Sequence, residues 1–264
     1  MVMNTRPIGI FDSGVGGLSI LRELQKQLPG ENYVFLADQA HVPYGEKTPA
    51  QLRTLAVRIT KFLLTYDIKL LVIACNTATC YAINTLRNRF DLPIVGTVPA
   101  VKPAAQYSRS KTVAVIGTPA TIKSDALTML IETHARGVRV VRIGCKGLED
   151  TVETGLLDGA RADTLLNHYL SRVPRSADLL VLGCTHYPFL KNRIRRSLGR
   201  RIRLIDSGSA IARRSKSVLI ASGTANTRGR AGLTRYFTTG SPENFASVAS
   251  KLLKKPVRAL RADI

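Results

Sequence analysis

The sequence predicts an α/β fold of doubly wound, mostly parallel sheets, and two observations support this prediction. Four segments each combine an apolar run, a turn of small or polar residues and a longer amphipathic stretch; they are residues 7–28, 69–90, 111–132 and 178–198. This alternation is typical of parallel strands covered by helices. The apolar runs also end in polar motifs, which are DSG, CNT, GTPAT and CTH. Because ligands bind at the carboxyl ends of parallel strands, we expect the four motifs to share one cleft.

The first segment ends its apolar run at Asp12, which precedes a glycine-rich turn. Ser13 adds a hydroxyl and a backbone amide beside this carboxylate. A dinucleotide-binding turn is the rival interpretation, since Gly14 and Gly16 supply part of a GxGxxG pattern. The third glycine of that pattern would fall at Ser19, however, and a carboxylate at Asp12 would repel a pyrophosphate. We therefore favour a polar small-molecule site at this turn.

The second segment places Cys75 between an apolar strand and a helix. Here the positive end of the helix dipole is expected to lower the thiol pKa from its usual value of about 8.5 and to favour the thiolate. A single buried cysteine is more often inert packing. Cys80 lies within the same helix and Cys145 lies in IGCKG, so both are interpreted as structural.

The third segment adds Thr118 and Thr121 to a set of small polar groups near the predicted strand ends. The full set is Ser13, Tyr44, Gly45, Asn76, Thr77, Thr118, Thr121 and Thr185. Any one of them could simply cap a helix. Together, hydroxyls and backbone amides at helix N-termini are what a zwitterion with carboxylates requires.

The fourth segment repeats the context of Cys75 at Cys184, which follows VLG and precedes Thr185 and His186. In an extended segment Cys184 and His186 would point to one face, so the imidazole could tune the thiol or relay its proton. Two cysteines in matching strand-end contexts predict a paired acid and base. The sequence contains no GxxxxGK[ST] loop, HExxH helix or zinc-type cysteine spacing, so metal catalysis and nucleotide hydrolysis lack support.

Two motifs occur twice and predict an internal duplication. FDSG at 11–14 resembles IDSG at 205–208, and IACNT at 73–77 resembles LGCTH at 182–186. We place domain boundaries near residues 98 and 207, because the prolines of TVPAVKPAA interrupt regular structure at the first crossing.

Composition predicts an ordinary globular protein of the cytoplasm. The chain has 264 residues, of which 45% are hydrophobic and 22% charged. The N-terminus lacks the apolar region of a secretory signal, and the apolar runs fall well short of the roughly 18 residues that span a bilayer. Four cysteines without a CxxC motif argue against a disulfide scaffold and favour free thiols.

The formal charge of +21 is the one unusual global property. The excess of basic over acidic residues is +3 for residues 1–98, +9 for 99–206 and +9 for 207–264. Its densest run contains Lys191, Arg193, Arg195, Arg196, Arg200, Arg201 and Arg203. A solvated basic helix face is the ordinary interpretation, and association with nucleic acid is the alternative. The run contains no aromatic residue, so it does not predict a stacking platform for single strands.

Eight motifs in order along nearly the whole chain resemble glutamate racemase of the aspartate/glutamate racemase superfamily. They are GIFDSGVGGLSILREL, FLADQAHVPYGEKT, VIACNTAT, IVGTVPAVKPA, AVIGTPATIKS, VLGCTHYPFL, LIDSGSAIAR and YFTTGSPENF. The resemblance implies two α/β domains, 1–98 with 207–264 and 99–206, with the active site between them. It also implies that no pyridoxal phosphate, metal or nucleotide takes part.

The resemblance further implies roles for individual residues. Cys75 and Cys184 would be the two bases, with Asp12 assisting Cys75 and His186 assisting Cys184. Asp38 and Glu153 would be supporting carboxylates, although Glu149 remains the alternative to Glu153 because IGCKGLEDTVETG lacks the usual proline. Substrate would be held by Asp12, Ser13, Tyr44, Gly45, Asn76, Thr77, Thr185 and His186.

The expected reaction is interconversion of L- and D-glutamate, which would supply D-glutamate for peptidoglycan. Inversion of a weakly acidic α-carbon without a cofactor needs a base on one face and a proton donor on the other, and two thiols meet that need. An aspartate racemase or a cysteine-dependent isomerase or decarboxylase is the enzymatic alternative. A nucleic-acid-associated or partner-binding factor is the alternative from a different class. A homodimer is expected.

Overall fold

Short apolar strands and longer amphipathic helices alternate along the chain in the computed structural model, which describes residues 4–199, 201–226 and 230–264. Arg200, one member of the basic run, lies outside the described residues. The strands are β1 Ile8–Asp12, β2 Tyr33–Ala37, β3 Leu70–Ile73, β4 Ile94–Gly96, β5 Thr112–Gly117, β6 Arg139–Gly144, β7 Leu179–Leu182, β8 Arg203–Ile205, β9 Thr234–Thr238 and β10 Ala259–Arg261.

The helices cover the faces of the sheets and connect the strands. They are α1 Leu18–Gln27, α2 Pro49–Leu64, α3 Asn76–Arg89, α4 Val101–Tyr107, α5 Pro119–Lys123, α6 Asp125–His134, α7 Asp150–Glu153, α8 Ala160–Leu170, α9 Lys191–Leu198, α10 Gly208–Ala221 and α11 Pro242–Leu253. Helices α2, α5 and α11 each begin at a proline that follows a capping Thr or Ser, at Thr48, Thr118 and Ser241. The hydroxyl accepts a hydrogen bond from a backbone amide of the first turn. Proline has no N–H group, so it leaves no unpaired donor at the first helical position.

Two parallel sheets contain all the strands of the described residues. The first has the order β10-β9-β2-β1-β3-β4 and the second β6-β5-β7-β8, and every pair is parallel. The predicted α/β class of mostly parallel, doubly wound sheets is therefore confirmed.

The continuous apolar runs have a simple packing explanation in β1. Ile10 belongs to a buried cluster with α1, whereas its neighbour Phe11 belongs to a second cluster with α2 and α3 on the other face. Because both faces of the sheet are covered, successive side chains are all apolar. The first of these clusters also contains Ile116 of β5, so one core joins the two sheets.

The strand orders show which sequence repeat has a structural counterpart. The order β2-β1-β3-β4 in the first sheet is repeated as β6-β5-β7-β8 in the second. Cys75 follows β3 and Cys184 follows β7, which are equivalent strands. The repeat of DSG has no such counterpart and its interpretation was wrong: Asp12 ends β1, while Asp206 follows β8, whose equivalent is β4. The boundaries near residues 98 and 207 stay a prediction.

Two of the predicted strand-turn-helix segments differ in detail from the structure. After Cys184 the chain first forms a 3-10 turn, Tyr187–Leu190, before α9 begins. The third segment is divided at Ser124, whose extended backbone ends α5 and whose hydroxyl caps α6. Among the described residues, no helix is both long and apolar enough to cross a membrane.

Candidate active site

A buried cavity lies where the carboxyl ends of the two sheets face each other. Its empty volume, including the part open to solvent, is about 350 Å³. It is lined by Ser13, Val42, Pro43, Tyr44, Gly45, Cys75, Asn76, Thr77, Thr118, Glu149, Gly183, Cys184, Thr185 and His186. The polar strand ends that the sequence places at one cleft therefore do meet in the fold.

Cys75 occupies the cap position before α3 and is 5% exposed. Its sulfur accepts a hydrogen bond from the Ala78 amide at 3.4 Å and lies 4.0 Å from the Ser13 hydroxyl. Burial and then the neighbouring Asp12 carboxylate raise the thiol pKa well above its usual range, despite the amide hydrogen bond. The prediction of a lowered pKa was wrong, because desolvation of a buried thiolate outweighs the helix N-terminus.

Cys184 begins a chain of buried polar contacts. Its sulfur lies 3.5 Å from Nδ1 of His186, and Nε2 of His186 lies 2.6 Å from Oε1 of Glu153. Burial raises the pKa of the Cys184 thiol, although His186 opposes this. Burial disfavours the imidazolium, but Cys184 and Glu153 together raise the pKa of His186 well above 6.5. A proton can therefore be shared along this line of three groups.

The contact between Cys184 and His186 was predicted, but its geometry differs from the expected extended segment. His186 has helical backbone angles, with φ −74° and ψ −36°. The Tyr187 amide donates to the Cys184 carbonyl at 3.2 Å and closes a turn. The turn, rather than strand alternation, brings the imidazole against the sulfur.

Glu153 connects this chain to the opposite sheet. Its Oε1 accepts the Val15 amide at 2.7 Å, and its Oε2 accepts Nε2 of Gln39 at 2.8 Å. Hydrogen bonds from His186 and these groups overcome burial and lower the pKa of Glu153. Gln39 was missed in the sequence, where its only signal is its position beside Asp38 in FLADQ.

Glu149 has a different place from Glu153. It lines the cavity, is 6% exposed, and its Oε2 has no hydrogen-bond partner among the described residues. Burial raises its pKa. Of the two candidate carboxylates, Glu153 is the one in contact with His186.

The glycine-rich turn is shaped by this contact with the second sheet. A Cβ at Gly14 would lie 1.8 Å from Oε1 of Glu153, and one at Gly16 would lie 2.4 Å from Nδ1 of His186. Side chains at these two positions would therefore displace Glu153 and His186. The two glycines therefore serve close approach between the two halves of the site, and not a dinucleotide.

Asp12 is fully buried at the end of β1. Its Oδ2 accepts a hydrogen bond from the Thr185 hydroxyl at 3.1 Å, and its Oδ1 has no hydrogen-bond partner within the described residues. Burial raises its pKa to about 6, and interaction with the Cys75 thiol and with His186 limits the rise. The carboxyl thus lies between the cysteine of its own sheet and the CTH motif of the other.

Asp38 does not contact either cysteine. Its oxygens accept the Tyr44 hydroxyl at 2.5 Å and the Thr239 hydroxyl at 2.8 Å, and Nδ1 of His41 lies 2.7 Å away. Tyr44 lines the cavity. Asp38 is therefore linked to the cavity by its hydrogen bond from Tyr44.

Three threonine hydroxyls join the two sheets across the cleft. Thr77 lies 2.9 Å from Thr118 and 3.0 Å from Thr121, and Thr118 lies 3.0 Å from Thr121. Thr77 and Thr118 line the cavity, whereas Thr121 lies behind them. Within the described part of the chain, no three His, Cys, Asp or Glu side chains are placed to hold a metal ion.

Fold and site together define an α/β enzyme with a cavity between two sheets of the same strand order and a cysteine at the end of each equivalent strand. The family described as Asp/Glu/Hydantoin racemase matches residues 8–214. The chain belongs to this family and is an amino-acid racemase, an isomerase.

Similar proteins cover almost the full length of the chain. A glutamate racemase of Roseiflexus sp. (strain RS-1) is 42% identical over 252 residues, which cover 94% of this chain and 93% of the relative. The structure of the glutamate racemase isoform RacE1 from Bacillus anthracis has a TM-score of 0.90 at 29% identity, with 99% and 98% of the two chains covered. That of a glutamate racemase from Francisella tularensis, in complex with D-glutamate, has a TM-score of 0.85 at 31% identity and the same coverage.

Proposed function

We propose that this protein interconverts L- and D-glutamate without a cofactor, with Cys75 and Cys184 as the two bases. The observation that carries the proposal is that both thiols line one cavity at the ends of equivalent strands. The similarity to glutamate racemases, one of them in complex with D-glutamate, supports the choice of substrate.

The proton balance of the reaction is symmetric. In one direction a thiolate at one cysteine takes the α-proton, so that an S–H bond forms as the C–H bond breaks. The thiol of the other cysteine then gives its proton to the opposite face of the α-carbon and becomes a thiolate. The reverse reaction begins from that second protonation state, so neither direction consumes a co-reactant.

Neighbouring groups are proposed to create the thiolates. Because burial raises the pKa of both thiols, each needs a proton acceptor within reach. His186, held by Glu153, serves Cys184. Asp12 serves Cys75, because its pKa of about 6 lies closer to neutrality than that of an ordinary aspartate.

Substrate is proposed to bind through the small polar groups of the cavity lining. The hydroxyls and backbone amides near the start of α3 and in the turns around them suit carboxylates. Amides placed on the α-carboxylate would also stabilise the charge that develops as the proton leaves, by about 3 kcal/mol per donor. The residues assigned to binding are Asp12, Ser13, Tyr44, Gly45, Asn76, Thr77, Thr185 and His186, and Asp38 positions Tyr44.

The first test is racemisation in D₂O of L-glutamate, D-glutamate and L-aspartate by metal-stripped protein without cofactor. We expect loss of optical activity and α-deuterium incorporation with both glutamate enantiomers. A clear preference for aspartate would move the substrate assignment to the aspartate racemase alternative. Absence of α-exchange in all three, with the thiols shown to be reduced, would overturn the proposal.

Cysteine variants test the mechanism separately from the substrate. Cys75→Ser and Cys184→Ser should each lower racemisation by several orders of magnitude in at least one direction, because serine is a far weaker acid than cysteine. Cys80→Ser is the matched control, since Cys80 lies on α3 and does not line the cavity. Near-normal rates in both directions for either cavity variant would contradict the two-base assignment.

We propose further that the D-glutamate supplies peptidoglycan synthesis in the cytoplasm and that the protein is a homodimer. These assignments follow from the family alone. Rescue of a D-glutamate-requiring bacterial strain by the wild-type gene, and not by the Cys75→Ser gene, tests the first. Sedimentation velocity tests the second. We propose association of the basic second half with nucleic acid as a separate property.

A further inference from the structure

The amino ends of the second sheet carry a row of cations on the side opposite the cavity. Lys111 directly precedes β5, while Arg139 begins β6 and Arg203 begins β8. In the register of the sheet, Arg139 pairs with Thr112, and Arg203 pairs with Leu179 at the start of β7. Because neighbouring strands lie about 4.8 Å apart, these residues are close together along the backbone edge of the sheet. The register places the side chains of Arg139 and Arg203 on opposite faces, so the cations lie on both sides of this edge.

The one acidic residue in this row is occupied by its own loop. Asp178 precedes β7, and its oxygens accept the Ser108 hydroxyl at 2.7 Å and the amides of Arg109 and Ser110 at 2.6 and 3.1 Å. These hydrogen bonds outweigh partial burial and lower the pKa of Asp178 to about 2. Asp178 therefore orders the loop and forms no ion pair with the cations of the row.

Further cations extend the row over α9. The Arg201 guanidinium donates to the Arg175 carbonyl at 2.9 Å, which places the loops before β7 and β8 side by side. Arg195, Arg196 and Arg203 line an open groove with an empty volume of about 930 Å³. We call the whole surface the basic edge; its members are Arg109, Lys111, Arg139, Arg175, Arg195, Arg196, Arg201 and Arg203.

The cations of the basic edge form no ion pairs within the described residues. All eight side chains belong to exposed residues. Two cations earlier in the same run behave differently: Lys191 pairs with Asp206, and Arg193 pairs with Asp158 and Asp163. Among the described members of the run, Lys191 and Arg193 are therefore paired, whereas Arg195, Arg196, Arg201 and Arg203 are not.

An exposed aromatic ring lies on the basic edge. Tyr107, at the end of α4, is 60% exposed, and the Arg203 guanidinium lies 6.0 Å from its ring centroid. The basic run itself contains no aromatic residue, so the sequence does not indicate a stacking platform there. Tyr107 is brought there from a position far from the run in sequence.

We propose that the basic edge binds single-stranded nucleic acid, with the arginines on phosphates and Tyr107 stacked on a base. Unpaired cations, three of which line the groove, suit a polyanionic strand, and an aromatic face beside the groove adds base stacking that is insensitive to sequence. An anionic membrane would fit the basic edge less well. A flat bilayer cannot follow a groove, and the single exposed ring, Tyr107, offers little apolar area for insertion. The cavity lies at the opposite ends of the same strands, so binding leaves it free.

The test measures anisotropy of a fluorescein-labelled single-stranded oligonucleotide of mixed sequence with the full chain. The variant Arg139→Glu, Arg175→Glu, Arg203→Glu should bind roughly tenfold or more weakly at about 150 mM salt. The slope of log K against log salt should become shallower by about 2, at about 0.7 per lost phosphate contact.

The matched control is Arg213→Glu, Arg214→Glu, Lys216→Glu on α10, which removes the same charge from exposed positions elsewhere. It should retain most of the affinity. Equal loss in both triple variants would overturn the proposal in favour of a diffuse charge effect, and so would absence of binding by wild type at this salt. Thermal unfolding of each variant confirms that it is folded, without reference to racemisation.

Tyr107→Ser provides the second readout. It should weaken single-strand binding while leaving duplex binding nearly unchanged, because only unstacked bases can reach the ring. Vesicles containing phosphatidylserine serve as the competing anion. Retention on these vesicles with no oligonucleotide binding would replace the nucleic acid by a membrane surface and overturn the proposal.

Discussion

At the scale of single residues, the site consists of titratable groups whose pKa values depend on one another. His186 contacts Cys184 through one ring nitrogen and Glu153 through the other, so its charge state depends on both neighbours. Burial alone would favour the neutral imidazole, whereas its partners raise its pKa. A change in any one of the three groups is therefore expected to alter the protonation of the others.

Glu153→Gln should lower the pKa of His186, because the imidazolium loses the negative charge at 2.6 Å. NMR titration of the imidazole measures this directly. Racemisation should fall, with its acidic limb moved towards lower pH. Glu149→Gln is the control, since Glu149 lines the cavity without a hydrogen bond to His186. An equal fall of the His186 pKa in both variants would contradict the assignment of Glu153 as the partner.

We expect Glu149 to lower the free energy of unfolding at pH values above 4.5, the ordinary pKa of a glutamate side chain. Burial raises its folded pKa above 4.5, so ionisation is harder in the folded state and destabilises it as pH rises. Glu149→Gln should therefore have a higher melting temperature than wild type, and the difference should grow from pH 5 to pH 8.

Glu243→Gln is the control with the opposite sign. A backbone amide and then the Ser241 hydroxyl lower the pKa of Glu243, so its ionised form favours the folded state above pH 4.5. Its removal should leave the melting temperature unchanged or slightly lower at pH 8. Greater stability of wild type than of Glu149→Gln at pH 8 would show that the buried carboxylate has a partner that stabilises it.

At the scale of elements, the turn between β1 and α1 determines how the two sheets meet. Its 3-10 turn, Val15–Gly17, brings backbone rather than side chains against Glu153 and His186. The Val15 amide donates to Glu153 across 138 positions of sequence. The glycines thus shape the candidate site, because side chains at Gly14 and Gly16 would collide with Glu153 and His186.

Gly14→Ala should lower racemisation on the order of 100-fold, because displacement of Glu153 by about 1 Å misplaces His186 and Cys184. Gly144→Ala is the control, since its Cβ would meet atoms no closer than 3.4 Å and its backbone is not in the left-handed region. Comparison of kcat, KM and melting temperature separates loss of alignment from loss of folding. Full activity of Gly14→Ala would show that the contact is dispensable.

At the scale of the whole molecule, the net charge of +21 acts on stability as well as on partners. The excess is concentrated in residues 99–264, and the cations of the basic edge form no ion pairs within the described residues. Like charges at such spacing repel one another, and this repulsion opposes the compact state.

Addition of salt should raise the melting temperature between about 20 and 300 mM, because screening lengths shorten from roughly 20 Å to below 10 Å over this range. The Arg139→Glu, Arg175→Glu, Arg203→Glu variant should show a smaller salt effect than wild type. Sodium chloride and sodium fluoride should act alike if screening is the cause. A melting temperature that falls with salt would show that ion pairs, such as that of Lys69 with Glu31, dominate instead.

The sequence by itself determined the alternation of strands and helices, the parallel sheets and the pair Cys75 and Cys184. These features depend on local signals: unbroken apolar runs, and a small polar or thiol residue directly after each run. The rule that equal motifs after apolar runs mark equivalent strands failed for the DSG repeat, because Asp12 ends β1 whereas Asp206 follows β8.

Only the tertiary structure decided which carboxylate holds His186, the direction of the thiol pKa shifts and the place of Tyr107 beside Arg203. Each depends on contacts between residues distant in the chain. Glu153 reaches His186 through the placement of α7, and burial by both sheets raises the thiol pKa against the helix N-terminus. Desolvation and long-range contact are properties of the folded core, so no local pattern in the sequence could reveal them.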